Sequence, residues 1–328
     1  MVPRSIHHTD RAWYLYGLSN TSRLARTGWE ILGIITIMLL VITCLFFLMC
    51  SPFNSAELTE EPRANFTLRE LYALQTRIFD TTLSLTPTMN STLLHPDIRG
   101  RVDITRQFTG CELNTEYLFG LFAQLNATQA FTLLGTPTGY RIAHFTGHGD
   151  TAASATLMDF TSPFWGAFAL ELHVWSRFDA RGRVAQYDAT FRHWAAFVGE
   201  ALARVARERF GGDEGAAVAF AAARLVGEVC AAHETHCRGA DRQYASEAEC
   251  RAFLAAEVPF GLPHEMGRDT LLCRMVHAPM VPLRPAVHCK HIGPRGGDMC
   301  EDGFGYGERI DQGFWRESWM PDELSAVF

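Results

Sequence analysis

AFALELHVWSRFDARGRVAQYDATFRHW, residues 167–194, is the stretch that decides the fold. Phe168, Leu170, Leu172, Val174 and Phe178 fall on one side of a period-two alternation, with Glu171, His173 and Trp175 on the other, the pattern of a strand with one buried face. FDARGR reads as a tight hairpin, and Val184–Trp194 returns as a second strand. Working outward, Tyr140–Thr146 and Ala152–Phe160 carry the same period, so a meander of long antiparallel strands is predicted. Further upstream the period becomes helical. Residues 67–82 place Leu68, Leu71, Leu74, Ile78 and Phe79 at helical spacing, and Asn114–Leu125 forms a second helix after a loop containing HPDIRG and an FTG turn. Downstream, Ala195–Phe210 and Ala216–Val229 are alanine-rich helices. Helices followed by an antiparallel meander define an α+β layout.

The 328 residues include 48% hydrophobic and 20% charged side chains, ordinary values for a folded chain, so global disorder is excluded. The 29 basic residues contain a single lysine, Lys290, and the net charge is −7. No basic stripe is present, so nucleic acid is not an expected partner. Residues 301–328 hold seven acids against Arg309 and Arg316, which reads as a solvated acidic tail.

Residues 31–50 (ILGIITIMLLVITCLFFLMC) contain no charge and as a helix would span roughly 30 Å, the thickness of a bilayer's hydrocarbon core. Arg4, Arg11, Arg23 and Arg26 precede this segment, and Glu57, Glu60 and Glu61 follow it. That asymmetry predicts a cytosolic N-terminus and a single-pass type II signal anchor of the secretory pathway or cell surface, with the lipid bilayer as a partner. Sequons at Asn65, Asn90 and Asn126 then lie on the lumenal side as glycosylation sites, while Asn20 stays bare.

Six cysteines, Cys230, Cys237, Cys250, Cys273, Cys289 and Cys300, crowd into one region, and an even set in an oxidising lumen reads as three disulfides whose pairing the sequence leaves open. Turn-rich stretches such as GLPHEMG and GPRGGDMC suggest that cross-links substitute for a core there. His233, His236, His264, His277, His288 and His291 share the region and raise a metal site as the competing reading. No CxxC pair occurs, however, so no metal and no cofactor is expected. The alternative is His233-Glu-Thr-His236-Cys237, which sets two imidazoles on one helical face and suits copper or zinc.

HPDIRGRVDITRQFTGCELNTEYLFGLF, followed by the strands and closed by VWSRFDARGRVAQYDATFR, resembles the nuclear-transport-factor-2-like fold and its SnoaL-like branch of polyketide cyclases. The block from HCRGADRQYASEAEC to HIGPRGGDMC resembles a set of uncharacterised fungal membrane or secreted proteins that join such a domain to a cysteine-rich tail. The resemblance implies a cone of curved antiparallel sheet packed on helices around a cavity. The HxxHC motif also resembles half of the paired signature of fungal copper-dependent oxidases. The organisation expected is a cytosolic segment 1–30, an anchor 31–50, a stalk 51–64, the cone 65–210, a connecting helix 211–229, the cysteine-rich module 230–300 and the tail 301–328.

A cyclase or isomerase on this fold needs an acid or base inside the cavity. His144 shares a strand face with Tyr140 and Ile142, and Tyr187 shares one with Ala185, Ala189 and Phe191, while Asp188 and His173 fall on more polar faces. These four are the catalytic candidates. No GxSxG elbow, HExxH helix or Walker loop occurs, so serine hydrolase, zincin and P-loop chemistry are not supported. The leading expectation is an anchored lumenal domain that binds a small apolar ligand or a protein partner. The alternative is a cyclase, isomerase or dehydratase of secondary metabolism, with a copper oxidase third and the oligomeric state open.

Overall fold

The structure, a computed structural model, describes residues 64–86, 88, 90–303, 307 and 314. The cytosolic segment, the anchor and the stalk up to residue 63 lie outside the described residues, as does most of the acidic tail.

Helix α1 (Leu68–Leu83) opens on a capping box: Thr67 Oγ1 accepts from Glu70 N–H and the Glu70 carboxylate accepts from Thr67 N–H. Its buried row is Leu71, Gln75, Phe79 and Thr82, while Leu68 is exposed. Strands β1 (Leu94–Val102) and β2 (Gln107–Thr109) follow. Next come α2 (Cys111–Thr115), a π-helical turn over Glu116–Gly120, and α3 (Leu121–Thr128). Strands β3 (Thr136–His148), β4 (Thr151–Ser162), β5 (Gly166–Phe178) and β6 (Val184–Arg192) form the expected meander. They join β1 and β2 in one six-stranded sheet of order β2-β1-β6-β5-β4-β3.

Two sequence expectations are corrected here. HPDIRG is not a loop but part of β1, and β1 runs parallel to β6, so the sheet is mixed rather than antiparallel. Between Leu94 and Arg99 the β1–β6 register shifts, an irregularity that accommodates Pro96, which has no N–H to donate. Beyond it Gly100 pairs with Tyr187, and a Cβ there would overlap both the Tyr187 ring and Asn114 Oδ1. Glycine at this position lets the Tyr187 ring lie flat over β1.

The C-terminal part comprises α4 (Trp194–Arg209), α5 (Glu214–His236), α6 (Glu247–Glu257), α7 (Leu271–His277) and the short α8 (Pro285–His288). The six cysteines pair as Cys230–Cys250, Cys237–Cys289 and Cys273–Cys300. These bonds do not replace a core. Leu225, Val229, Leu254, Leu272, Val276 and Ile292 are buried in the same hydrophobic cluster as Leu71, Ile98, Phe119 and Phe160. The segment docks on the β1–β2 connection through Arg106 Nε to Gly267 O (2.7 Å) and Met266 N–H to Ile104 O (3.1 Å), and Trp194 Nε1 to Pro263 O (2.9 Å) ties it to α4. The tail is not wholly solvated either. Phe314 is buried, its carbonyl accepts from Gln186 Nε2 (2.8 Å) and its ring lies under the Arg101 guanidinium.

Candidate functional site

Helix α1, the π turn, α3 and the inner face of the sheet line a cavity of about 120 Å³, with Met266 and Val276 of the C-terminal part in its wall. Its wall is mostly apolar: Ile78, Phe79, Leu121, Met158, Phe160, Leu172, Val174 and Phe191 among others. Into this wall the chain inserts Gln75 from α1, Ser176 from β5 and Tyr187 from β6. Ser176 and Tyr187 are cross-strand partners, which sets their side chains next to each other on one face. Both ends of the Gln75 amide, the Ser176 hydroxyl and the Tyr187 hydroxyl are buried with no hydrogen-bond partner among the described residues. An unanswered buried polar group costs about 1–3 kcal/mol, so three on one apolar wall mark a place where something else supplies the partners.

Tyr117 also lines the cavity. The π turn carries it: the extra residue per turn re-aims Glu116 and Tyr117 relative to a regular helix. Its ring stacks on Phe108 and its hydroxyl meets His277 Nε2 at 2.9 Å. Burial raises the phenol pKa of both Tyr117 and Tyr187. Both therefore stay protonated at neutral pH and serve as hydrogen-bond donors.

Behind Tyr117 lies a buried histidine cluster. His277 Nδ1 is 3.1 Å from His291 Nδ1 and 3.5 Å from His288 Nδ1. On the far sides, His288 Nε2 meets Glu116 Oε2 at 3.0 Å and His291 Nε2 meets Asp298 Oδ1 at 2.8 Å. Burial and the neighbouring rings depress His277 strongly and His291 to about 4. Burial works against ionising Glu116, but hydrogen bonds from His288 and Arg284 outweigh it and hold the carboxyl below its usual range. Asp298 is likewise held low against burial by Lys290, its own backbone and His291. One nitrogen from each of His277, His288 and His291 falls within 4.8 Å of the other two, so these residues could hold a metal ion.

Of the four catalytic candidates the structure brings only Tyr187 to the cavity. His144 is exposed, because a register shift between Ile142 and His144 interrupts the alternation of β3. Asp188 faces the other side of the sheet and pairs with Arg101. His173 shares that outer face and bonds Glu171 (2.8 Å), which also binds Arg192. Among the described residues no third histidine, cysteine or carboxylate joins His233 and His236 in a ligand group. His233 is buried and its Nε2 accepts the N–H groups of Gln243 (2.9 Å) and Tyr244 (3.2 Å), which takes that nitrogen out of use. His236 is half-buried on the next turn. Sequence reasoning missed Gln75, Ser176 and Tyr117, and among the six histidines weighed as a metal site it did not single out His277, His288 and His291. The signals were present: Ser176 continues the row Leu172, Val174, and Gln75 sits four residues after Leu71 on the buried face of α1. His288 and His291 repeat the HxxH spacing.

Fold and site together define an α+β protein with a mixed sheet, a mostly apolar cavity bearing unanswered polar groups, and a disulfide-bonded C-terminal part that contributes to its wall. The chain belongs to the BfoA family: residues 75–189 match the BfoA N-terminal domain and residues 191–303 match the BfoA family C-terminal domain. It is 40% identical over 263 residues to the aurasperone B biosynthesis cluster protein A of Aspergillus niger, covering 78% of this chain and 85% of that one. It is 38% identical over 280 residues to the bifonsecin B biosynthesis cluster protein A of Aspergillus brasiliensis, covering 83% and 92%. Among solved structures, a protein of Jannaschia sp. described as a SnoaL-like polyketide cyclase is similar at a TM-score of 0.31 and 12% identity, covering 40% of this chain and 90% of that one. A cystatin-like fold from Silicibacter pomeroyi gives a TM-score of 0.29 and 14% identity, covering 43% and 89%.

Proposed function

We propose that this chain is an enzyme of fungal secondary metabolism that cyclises, isomerises or dehydrates a largely apolar, oxygen-bearing biosynthetic intermediate inside the cavity. The observation that carries the proposal is the trio of unpartnered polar side chains, Gln75, Ser176 and Tyr187, on a mostly apolar wall. The relatives' place in biosynthesis clusters supplies the substrate class. All three reaction types move protons without net electron transfer, which suits a cavity whose polar groups are hydrogen-bond donors and acceptors. Gln75, Ser176 and Tyr187 would hold a substrate carbonyl or hydroxyl oxygen, and donation from Tyr187 would polarise the carbonyl toward its enol. Tyr117 would give its proton to the departing or enolate oxygen, and the phenolate left beside His277 Nε2 would take up the proton that the substrate carbon releases, which restores Tyr117.

Deleting the gene in its host and feeding the accumulated compounds to the purified protein tests this reading. The expected result is consumption of one compound and appearance of the pathway's next intermediate. Capture of a ligand without turnover is the second reading. It is favoured by the absence of any ionised side chain among the residues that line the cavity, and it predicts saturable binding of a compound that returns unchanged.

We further propose that residues 31–50 anchor the protein in a membrane, with the residues that follow in the lumen. Support comes from the exposure of Asn65, Asn90 and Asn126 and from the three disulfides. Glycosidase treatment should shift its mobility, and the shift should vanish when the three asparagines are replaced together. Alkylation of the same preparation without reduction should label only Cys111 among the cysteines after residue 63, since Cys111 is free and half-buried beside Asn90 Oδ1 (2.9 Å). A shift owed to Asn20, or labelling of two or more of the other six, would overturn this placement.

A further inference from the structure

We propose that the Nδ1 atoms of His277, His288 and His291 bind one divalent first-row transition ion, zinc being the first expected, in a site enclosed by the C-terminal part of the fold. Two imidazole nitrogens held about 2.0–2.1 Å from a tetrahedral ion stand about 3.3–3.4 Å apart. His277 Nδ1 lies 3.1 and 3.5 Å from the Nδ1 atoms of the other two, so two of the three pairs already stand near that spacing, and one nitrogen from each ring lies within 4.8 Å of the others.

Proton accounting points the same way. The carboxylates of Glu116 and Asp298 only accept, so His288 Nε2 and His291 Nε2 carry hydrogens, and in its neutral form each ring presents a bare lone pair at Nδ1. His277 Nδ1 can carry one hydrogen at most and direct it at one of these two. At least one lone pair is left facing another nitrogen in a water-excluded space, where His277, His288 and His291 are each no more than 2% exposed. An ion answers all three lone pairs at once. The outer contacts are those that orient metal-bound histidines: Glu116 on His288, Asp298 on His291, and the Tyr117 oxygen on His277.

The scaffold is rigid at each ligand. Cys273, one turn before His277, is bonded to Cys300, and Cys289, next to His288, is bonded to Cys237. As members of disulfides these sulfurs are not thiolate donors, so the three imidazoles are the donor set. At Gly297 (φ +60°) the backbone passes so close that a Cβ would press on His291 Cδ2 at 2.8 Å, so glycine there leaves His291 its position.

One consequence rests on the reading of the cavity as an enzyme site. With an ion on Nδ1, His277 must carry its hydrogen on Nε2 and donate it to the Tyr117 oxygen, which leaves the Tyr117 O–H free to point at the substrate. His277 is then a positioning residue for Tyr117.

The test is elemental analysis of the full chain, purified with its disulfides formed and no substrate added, so that its outcome is independent of whether the cavity turns anything over. About one equivalent of zinc per chain should survive gel filtration. Replacement of that zinc by Co2+ after chelation should give the visible d–d bands of a tetrahedral cobalt site. His288→Ala with His291→Ala should abolish both signals. Asp298→Asn, which keeps the shape, should weaken affinity about 10–100-fold, and His236→Ala should change nothing. A folded wild-type chain that retains no zinc, cobalt, copper or nickel would overturn the site, and so would metal retained undiminished by the double variant.

Discussion

Replacing Glu116 by alanine should cost the fold about 3–5 kcal/mol, the effect expected when one partner of a buried ion-pair network is removed. The Glu116 side chain is fully buried, with Arg284 and His288 on its oxygens. Alanine would leave the Arg284 guanidinium short of its inner partner, with only the exposed Glu112 carboxylate remaining, and would leave His288 Nε2 with none. Glu116→Gln keeps the shape and one acceptor, so it should lose clearly less. The measurement is denaturant unfolding with the disulfides intact, and a loss below about 1 kcal/mol for the alanine variant would contradict the network as described. The pH dependence has a definite sign. The Glu116 carboxyl is held below its usual range in the folded chain, so the native state binds fewer protons there than the unfolded state. Its stabilisation is present above the ordinary glutamate pKa of about 4.3 and fades as pH falls through the depressed native value. Glu116→Gln should flatten that acid limb.

Tyr117→Phe should lower turnover about 10²–10⁴-fold, the usual worth of a positioned general acid or base. The substitution leaves the ring stacked on Phe108 and removes only the hydroxyl that meets His277. Stability should fall by no more than about 1–3 kcal/mol, because His277 Nε2 loses its partner. Single-turnover kinetics on the compound that accumulates without the gene provide the measurement. Unchanged turnover would restrict Tyr117 to packing.

The meander was legible because residues 140–194 alternate with period two and pack one face inward; its strands run Thr136–His148 to Val184–Arg192. Strand β1 was not, because His95, Pro96, Asp97 and Gly100 are turn formers, and only a parallel partner arriving some ninety residues later, β6, makes them a strand. The chemistry was hidden for a related reason. Ser176 and Gln75 occupy positions that the periodicity assigns to the core, and a polar residue on such a face gains meaning only once the cavity beside it is visible. His144 failed as a candidate because one register shift in β3 turns the face it should share with Ile142. His277 is eleven residues from His288, and the two meet only because the chain between them turns back. Nothing in their spacing announced that contact.

The claim that the cavity is the reacting site is tested most directly by measuring stability and turnover together for Tyr187→Phe, Ser176→Ala and Gln75→Leu. Each substitution removes a buried polar group that has no partner among the described residues. Groups retained for a ligand at the expense of the fold should reveal themselves by opposite responses. Unfolding free energy should hold steady or rise by up to about 1–3 kcal/mol while turnover of the pathway intermediate falls. If stability instead drops and turnover is untouched, the three side chains are structural and the cavity is not where the protein works.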